Sequence, residues 1–271
     1  MTARAHPKRS TVLLKACLNG TRSRADHEAV PRSARELAIE SQRAVAAGAG
    51  ALHVHPRAAD GTETLDPAVC GATISAIRAA CPGVPVGLST GVWIESTPER
   101  RLACIAGWAI LPDFVSVNIS EPGVQALCEH LLVRGIGIEA GVWSAADAGG
   151  FVSSGVAERC LRVLIEPTDP LPHDALATAA AVDAVLDRHG IARPRLLHGV
   201  DQAAWAVLET ALRQGYDIRI GFEDTLYLPD GARAPSNADL VAAAVRVALR
   251  QGYQPWPAAP RPKGDGGGSP A

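Results

Sequence analysis

The sequence predicts an α/β protein built as a single (β/α)8 TIM barrel, and three observations carry that prediction. Eight short apolar segments with strand character are each followed by a stretch of helical periodicity or small residues. Short connections between them call for a parallel sheet with right-handed crossovers, and eight units in about 240 residues close a barrel. No glycine-rich nucleotide fingerprint follows the first strand, which disfavours the open doubly wound sheet.

In chain order, a polar lead (1–10) precedes a strand over Thr11–Leu18 and a turn at Asn19-Gly20-Thr21-Arg22. The first helix is expected from Ser33 to Ala47, stopped by Gly48. The second strand is the stretch Ala51-Leu52-His53-Val54-His55-Pro56-Arg57, and Asp66 before Pro67 marks an N-cap for a helix over Pro67–Ala80. Strand three covers Val84–Thr90, and Thr97-Pro98 opens a helix running to Trp108. Asp113–Asn118 and Gly123–Arg134 make the fourth unit. Gly137–Gly141 is the fifth strand, followed by Ser144–Gly155 as a small-residue loop or short helix. Leu161–Glu166 with Asp174–His189, Arg195–His198 with Gln202–Gln214, and Asp217–Phe222 with Asn237–Gln251 complete the series. The barrel domain is thus expected over residues 11–256, and the Pro- and Gly-rich stretch 257–271 reads as disordered.

Composition narrows the functional classes. The 26 basic and 28 acidic residues leave a net charge of −2, so no global field attracts nucleic acid or an anionic membrane. Six cysteines lack any C-x-x-C spacing and read as reduced core thiols. With no signal-peptide pattern at the amino terminus and no apolar run of membrane-spanning length, a cytoplasmic protein is expected, as a homo-oligomer.

In such a barrel the chemistry lies at the carboxyl ends of the strands. There the sequence places Asn19 and Arg22, His53, His55 and Arg57, Ser89 and Thr90, Asn118 and Ser120, Glu139, Glu166, His198, and Glu223 with Asp224. So many polar side chains are hard to assign to packing, because a buried polar group without a partner costs a few kcal/mol. His53 and His55 share one face of a strand and can aim at one cation. Closure sets strand eight beside strand one and one strand away from strand two, so Glu223 can supply the third ligand. Two His and one Glu leave a coordination position open, the pattern of a catalytic zinc site.

These residues resemble the β-keto acid cleavage enzymes, the family of 3-keto-5-aminohexanoate cleavage enzyme. The resemblance rests on His53-Val54-His55-Pro56-Arg57, Ser89-Thr90-Gly91, Ser116-Val117-Asn118, Glu139, Arg219-Ile220-Gly221-Phe222-Glu223-Asp224 and Ser236-Asn237-Ala238-Asp239-Leu240. It implies a zinc-dependent barrel enzyme that exchanges acyl groups between a β-keto acid and acetyl-CoA, giving acetoacetate and a new acyl-CoA. It also implies zinc, or another divalent transition metal, on His53, His55 and Glu223, with Asp224 as a base, Arg219 orienting it and Glu139 as a further acid. Ser89 and Asn118 match substrate contacts; Thr90, Asn19 and Arg57 join them from their strand-end positions, and Trp143 is the best candidate for a substrate wall. The chain departs from the family at Thr225, at Val92-Trp93 and in a short 141–170 segment. Two other functions compete: a CoA-independent metal hydrolase or aldolase, and a non-catalytic small-molecule-binding barrel.

Asp224 follows a ligand directly, so a regular strand would send it to the opposite face; a base role requires the chain to turn there. Glu166 and His198, at neighbouring strand ends, are expected to form a structural hydrogen bond, an acid/base pair or half of a second metal site. His6, His27, His130, His173 and His189 are expected in solvent. Trp93, Trp108 and Trp205 are expected to wall a pocket or core.

Overall fold

The computed structural model describes residues 10–256 of the 271, so the expectations for most of the lead and for the 257–271 tail lie outside the described residues. Eight parallel strands form the sheet: β1 Leu14–Cys17, β2 Ala51–Val54, β3 Val86–Ser89, β4 Phe114–Asn118, β5 Gly137–Val142, β6 Arg162–Ile165, β7 Arg195–Leu197 and β8 Ile218–Ile220. Their order runs β7-β6-β5-β4-β3-β2-β1-β8. A parallel bridge between Leu196 and Asp217 joins the two ends, with Leu197 N–H donating to the Asp217 carbonyl at 3.1 Å. The (β/α)8 barrel is thereby closed, with β8 and β2 flanking β1.

The helices are α1 Ala34–Ala46, α2 Pro67–Ala80, α3 Pro98–Ala106, α4 Val124–Val133, α5 Ala145–Ser153, α6 Pro172–Arg188, α7 Ala204–Gln214 and α8 Asn237–Arg250. Their starts follow local chemistry. Ser33 and Glu36 form a reciprocal capping box on α1, and Asp66 accepts from Ala68 and Val69 at the start of α2, one residue before Pro67. The 144–155 segment resolves as the helix α5, capped by Ser144. Among the described residues no helix is long and apolar enough to cross a membrane.

One expected strand is divided. Thr11–Val12 pairs with Gln254–Pro255 outside the barrel, while Leu14–Cys17 enters it. Between them the Leu13 N–H leaves the ladder for the Asp217 carboxylate at 3.1 Å.

Period-2 alternation explains the layers. Leu14 and Ala16, Leu52 and Val54, Val86 and Leu88, Val115 and Val117 belong to the large core shared with the helices. The alternate residues face inward and are largely polar. Lys15 on β1 meets Glu139 on β5, strands four positions apart, which only the barrel interior allows. Arg162 continues the network at 3.2 Å from both Glu139 and Asp217. Leu13, Ala51 and Phe114 form a separate apolar cluster, and Gly87 leaves the space that the Phe114 ring fills.

The six cysteines are free thiols, five of them buried. His173 and His189 are exposed as expected, but His27 is buried, its ring centroid 4.5 Å from that of Phe222. The loop after β1 folds back over the barrel end, which local periodicity does not report. His130 is half-buried, and His6 lies outside the described residues. Trp108 is a core residue whose indole donates to the Leu65 carbonyl at 3.0 Å.

Candidate metal centre and active site

β2 ends with its two histidines aimed at one point. His53 and His55 Nε2 each lie 3.6 Å from the same oxygen, Glu223 Oε2. The ligand-capable atoms of the three residues all fall within 4.8 Å of one another. Glu223 Oε2 is buried with no hydrogen-bond partner, and 3.6 Å exceeds hydrogen-bonding range. Donors at about 2.1 Å from a tetrahedral cation stand roughly 3.4 Å apart, so the spacing fits a shared ion.

The surroundings suit each of the three residues to a cation. Burial holds the His53 imidazole well below the ordinary histidine range, in the neutral form that binds metal. Burial alone would raise the Glu223 carboxyl, but the Arg219 guanidinium holds it well below the usual carboxylate range. Arg219 Nη2 donates to Glu223 Oε1 at 2.8 Å, leaving Oε2 toward the histidines. His55 Nδ1 pairs with Glu63 Oε1 at 3.1 Å, which fixes the ring with Nε2 facing inward. Gly20, in the left-handed region at φ 54°, admits Glu223: a Cβ there would meet Glu223 Cγ at 2.5 Å.

After β8 the chain turns as a base role requires. Asp224 and Thr225 N–H both return to the Gly221 carbonyl, at 2.9 and 3.0 Å, and Arg219 donates to Asp224 Oδ1 through Nε at 3.0 Å and Nη2 at 2.6 Å. Asp201, itself at φ 46°, donates its N–H to the Asp224 carbonyl at 2.6 Å and secures the turn. Asp224 is fully buried, and its Oδ2 has no hydrogen bond among the described residues. His198 Nδ1 lies 3.3 Å from Asp224 Oδ1, and His198 Nε2 pairs with Glu166 Oε2 at 3.1 Å. Trp143 Nε1 donates to Glu166 Oε1 at 2.7 Å.

A cavity of about 300 Å³ opens over these groups. Its lining includes His55, Ser89, Asn118, Trp143, Arg219 and Glu223, with Glu166, His198 and Trp93 among the other walls. The Asn118 amide nitrogen donates to Glu121 Oε1 at 2.7 Å. Its oxygen and Glu166 Oε1 crowd the space above Gly141, where a Cβ would meet them at 2.7 and 2.4 Å.

The sequence matches the family model described as beta-keto acid cleavage enzyme over residues 11–147 and 171–260. The chain belongs to the beta-keto acid cleavage enzyme family. It is 28% identical over 267 residues to the 3-keto-5-aminohexanoate cleavage enzyme of Fusobacterium nucleatum subsp. nucleatum, covering 90% of this chain and 93% of that protein. It is 24% identical over 263 residues to the enzyme of that name from Acetoanaerobium sticklandii, covering 89% and 93%. A solved structure of apo ObcA has a TM-score of 0.67 at 18% identity, covering 86% of this chain; the chain spans 64% of the ObcA chain. That similarity concerns the fold. A ternary complex of ObcA with C4-CoA adduct and oxalate has the same TM-score of 0.67, also at 18% identity, covering 86% of this chain and 66% of that chain.

In this beta-keto acid cleavage enzyme family member, the predicted site residues divide into two sets. Ser89, Asn118 and Trp143 line the cavity with Arg219, His55 and Glu223. Asn19, Thr90, Arg57 and Glu139 do not figure in that lining, and His53 and Asp224 lie buried behind it, next to Glu223. Asn19 brackets the His55 peptide, accepting its N–H at 2.9 Å and donating to its carbonyl at 2.8 Å. Thr90 donates to the Ser116 carbonyl at 2.6 Å. Arg57 ties the loops after β1 and β2 through the Gly20, Arg22 and Gly61 carbonyls. Glu139 sits below in the Lys15 and Arg162 network.

Sequence reasoning missed Glu63 and Glu121. Glu63 comes eight positions after His55 and returns through an antiparallel bridge with Arg57, a local turn with no strong signature. Its Oε2 accepts from Trp93 Nε1 at 2.6 Å. Glu63→Gln is expected to weaken metal affinity by roughly 10–100-fold, because the carboxylate that orients His55 becomes neutral. Titration with Zn²⁺ against a competing chelator reads that change; an unaltered affinity would remove Glu63 from the metal site.

Proposed function

We propose that this chain is a divalent-metal-dependent acyltransferase, exchanging a β-keto acid with acetyl-CoA to give acetoacetate and a new acyl-CoA. The observation that carries the reading is the unpaired Glu223 Oε2, 3.6 Å from both histidine Nε2 atoms at the floor of a cavity sized for a small acid. His53, His55 and Glu223 would hold zinc or a similar ion. When bound, it supplies Lewis acidity that favours charge on the ketone and carboxylate oxygens of the keto acid.

The chain's own groups then have distinct tasks. Asp224 Oδ2 takes the proton from the carbon between ketone and carboxylate, whose acidity the neighbouring carbonyls raise. Arg219, with two bonds to Oδ1, fixes that carboxylate and directs Oδ2 to the reaction. His198 flanks Oδ1 and is itself held by Glu166. Ser89 and Asn118 orient the acid from the neighbouring ends of β3 and β4, and Trp93 and Trp143 shield it from water. Atoms balance across the exchange: the acetyl group leaves sulfur for the two-carbon carboxymethyl fragment, the bond between that fragment and the original acyl carbon breaks, the freed thiolate takes that acyl group, and Asp224 returns its proton to the same carbon of the acetoacetate.

Incubation of metal-replete protein with acetyl-CoA and a panel of β-keto acids tests the reading, with acetoacetate as the expected product. No acetoacetate from any member, with metal bound and the chain folded, would overturn it. Keto-acid breakdown that needs the metal but no thioester would assign the same centre to a hydrolase or aldolase.

A further inference from the structure

Next to the metal cavity lies a second one, of about 440 Å³, bounded by the amino end of α1, the loop after β2 and the face of α2. Arg24, Arg32 and Arg57 line it against a single acidic residue, Glu36. In a chain of net charge −2 this is a local excess of positive charge. Arg57 is pinned by three backbone carbonyls and forms a fixed charged floor. Arg32 reaches the Asp60 carbonyl at 3.3 Å, and Arg24, half exposed, pairs with Glu36 at 2.7 Å. The capping box closes the end of α1, so the attraction for anions comes from the side chains. The remaining wall carries small apolar groups, among them Ala58, Val69 and Ala72.

Two contacts connect this cavity to the metal centre. Arg57 Nη2 lies 3.9 Å from Glu63 Oε1, the oxygen 3.1 Å from His55 Nδ1. Trp93, bonded to the other Glu63 oxygen and 51% exposed, lines the metal cavity, as does Thr21, whose neighbour Arg22 is held by Arg57. The loop after β1 therefore borders both cavities, through Thr21 on one side and Arg24 on the other, Glu63 links Arg57 to His55, and Trp93 stands at the edge of the metal cavity.

We propose that the arginine-lined cavity binds the 3′-phosphorylated ADP end of coenzyme A, with the thioester arm crossing the Trp93 rim to the metal cavity. The inference rests on the acetyl-CoA exchange reading above. Guanidinium groups suit phosphate oxygens because they present several N–H donors in one plane, and separate phosphates on one ligand need more than one such group. Small apolar side chains give a planar base a surface to cover. The pantetheine arm is flexible and long enough to span the rim.

Adenosine 3′,5′-bisphosphate, titrated calorimetrically into the full chain, probes the site without turnover. It is expected to bind the parent protein, and Arg32→Ala and Arg24→Ala are each expected to weaken it about tenfold, with Arg32→Lys recovering part of the loss. The same substitutions should raise KM for acetyl-CoA while leaving KM for the keto acid in place, with a smaller effect when acetyl-dephospho-CoA is used. Equal binding of bisphosphate by the parent and both alanine variants would overturn the site, as would inorganic phosphate binding as tightly as the bisphosphate. Acetoacetate formation with an unmoved KM for acetyl-CoA would overturn the site and leave the exchange reading standing. Bisphosphate binding weakened by the variants, in a protein that makes no acetoacetate, would support the site and overturn the exchange.

Discussion

Glu223→Ala is expected to reduce bound metal to background after dialysis and to abolish turnover. The loss should exceed the roughly 10–100-fold that follows removal of an orienting group such as Glu63, because a direct donor is gone. The substitution also leaves Arg219 Nη2 without its 2.8 Å partner on that side, although both bonds from Arg219 to Asp224 remain. His53→Ala should match Glu223→Ala in metal content, since both ligands converge on one point at 3.6 Å. Metal per chain by elemental analysis, with circular dichroism as a folding control, reads the outcome independently of activity. A folded Glu223→Ala protein with full metal content would refute the ligand assignment.

The largest stability effect is expected at Lys15. Its ammonium group is completely buried against Glu139, and Lys15→Met would leave that carboxylate inside the barrel with Arg162 as its remaining ionic partner. Removing one member of a buried pair typically costs about 3–5 kcal/mol, because the stranded charge has lost both water and its partner. For a chain of this size that corresponds to a fall in Tm of roughly 10 °C. The double change Lys15→Met with Glu139→Leu should recover much of the loss, since two apolar groups of similar volume leave no stranded pair. Urea denaturation of the parent, Lys15→Met, Glu139→Leu and the double variant measures the coupling. Near-parental stability of Lys15→Met would refute a structural role for the pair.

A further variant, Glu139→Gln, separates two roles for Glu139. As a member of the interior network, Glu139→Gln alters stability while kcat per folded, metal-loaded chain stays near the parental value. A further acid in the reaction would instead lower kcat at unchanged metal content. The geometry favours the first outcome: both carboxylate oxygens point at cations, Lys15 and Arg162, within a fully buried site.

Much of this molecule follows from local sequence. Asp66-Pro67 starts α2 because an aspartate side chain satisfies two exposed N–H groups and proline gives up none, and the helix spans Pro67–Ala80 as the sequence predicts. His53 and His55 share a face because strand side chains alternate. Strand eight was placed beside strand one by barrel closure alone, and the observed order β2-β1-β8 brings Glu223 to the histidines. These features depend on near neighbours in the chain or on a topology with few alternatives.

Contacts between distant segments were decided only by the tertiary structure. Asn19, Thr90 and Arg57 stand at strand ends like substrate ligands, yet each donates to backbone carbonyls of other segments that closure brings within reach. Glu139 faces inward at a depth where Lys15 crosses from the opposite strand, which no one-strand pattern encodes. Glu63 gained its place when a short turn returned it to His55. Asp224 occupies the wrong parity for a strand, and only the turn onto the Gly221 carbonyl brings it to Arg219 and His198. The sequence by itself determined the eightfold order and the convergence of His53, His55 and Glu223, because periodicity and closure act on every strand alike. The depth of each polar side chain, and so its work as ligand, brace or buried ion, was settled by which distant atoms the closed barrel placed opposite it.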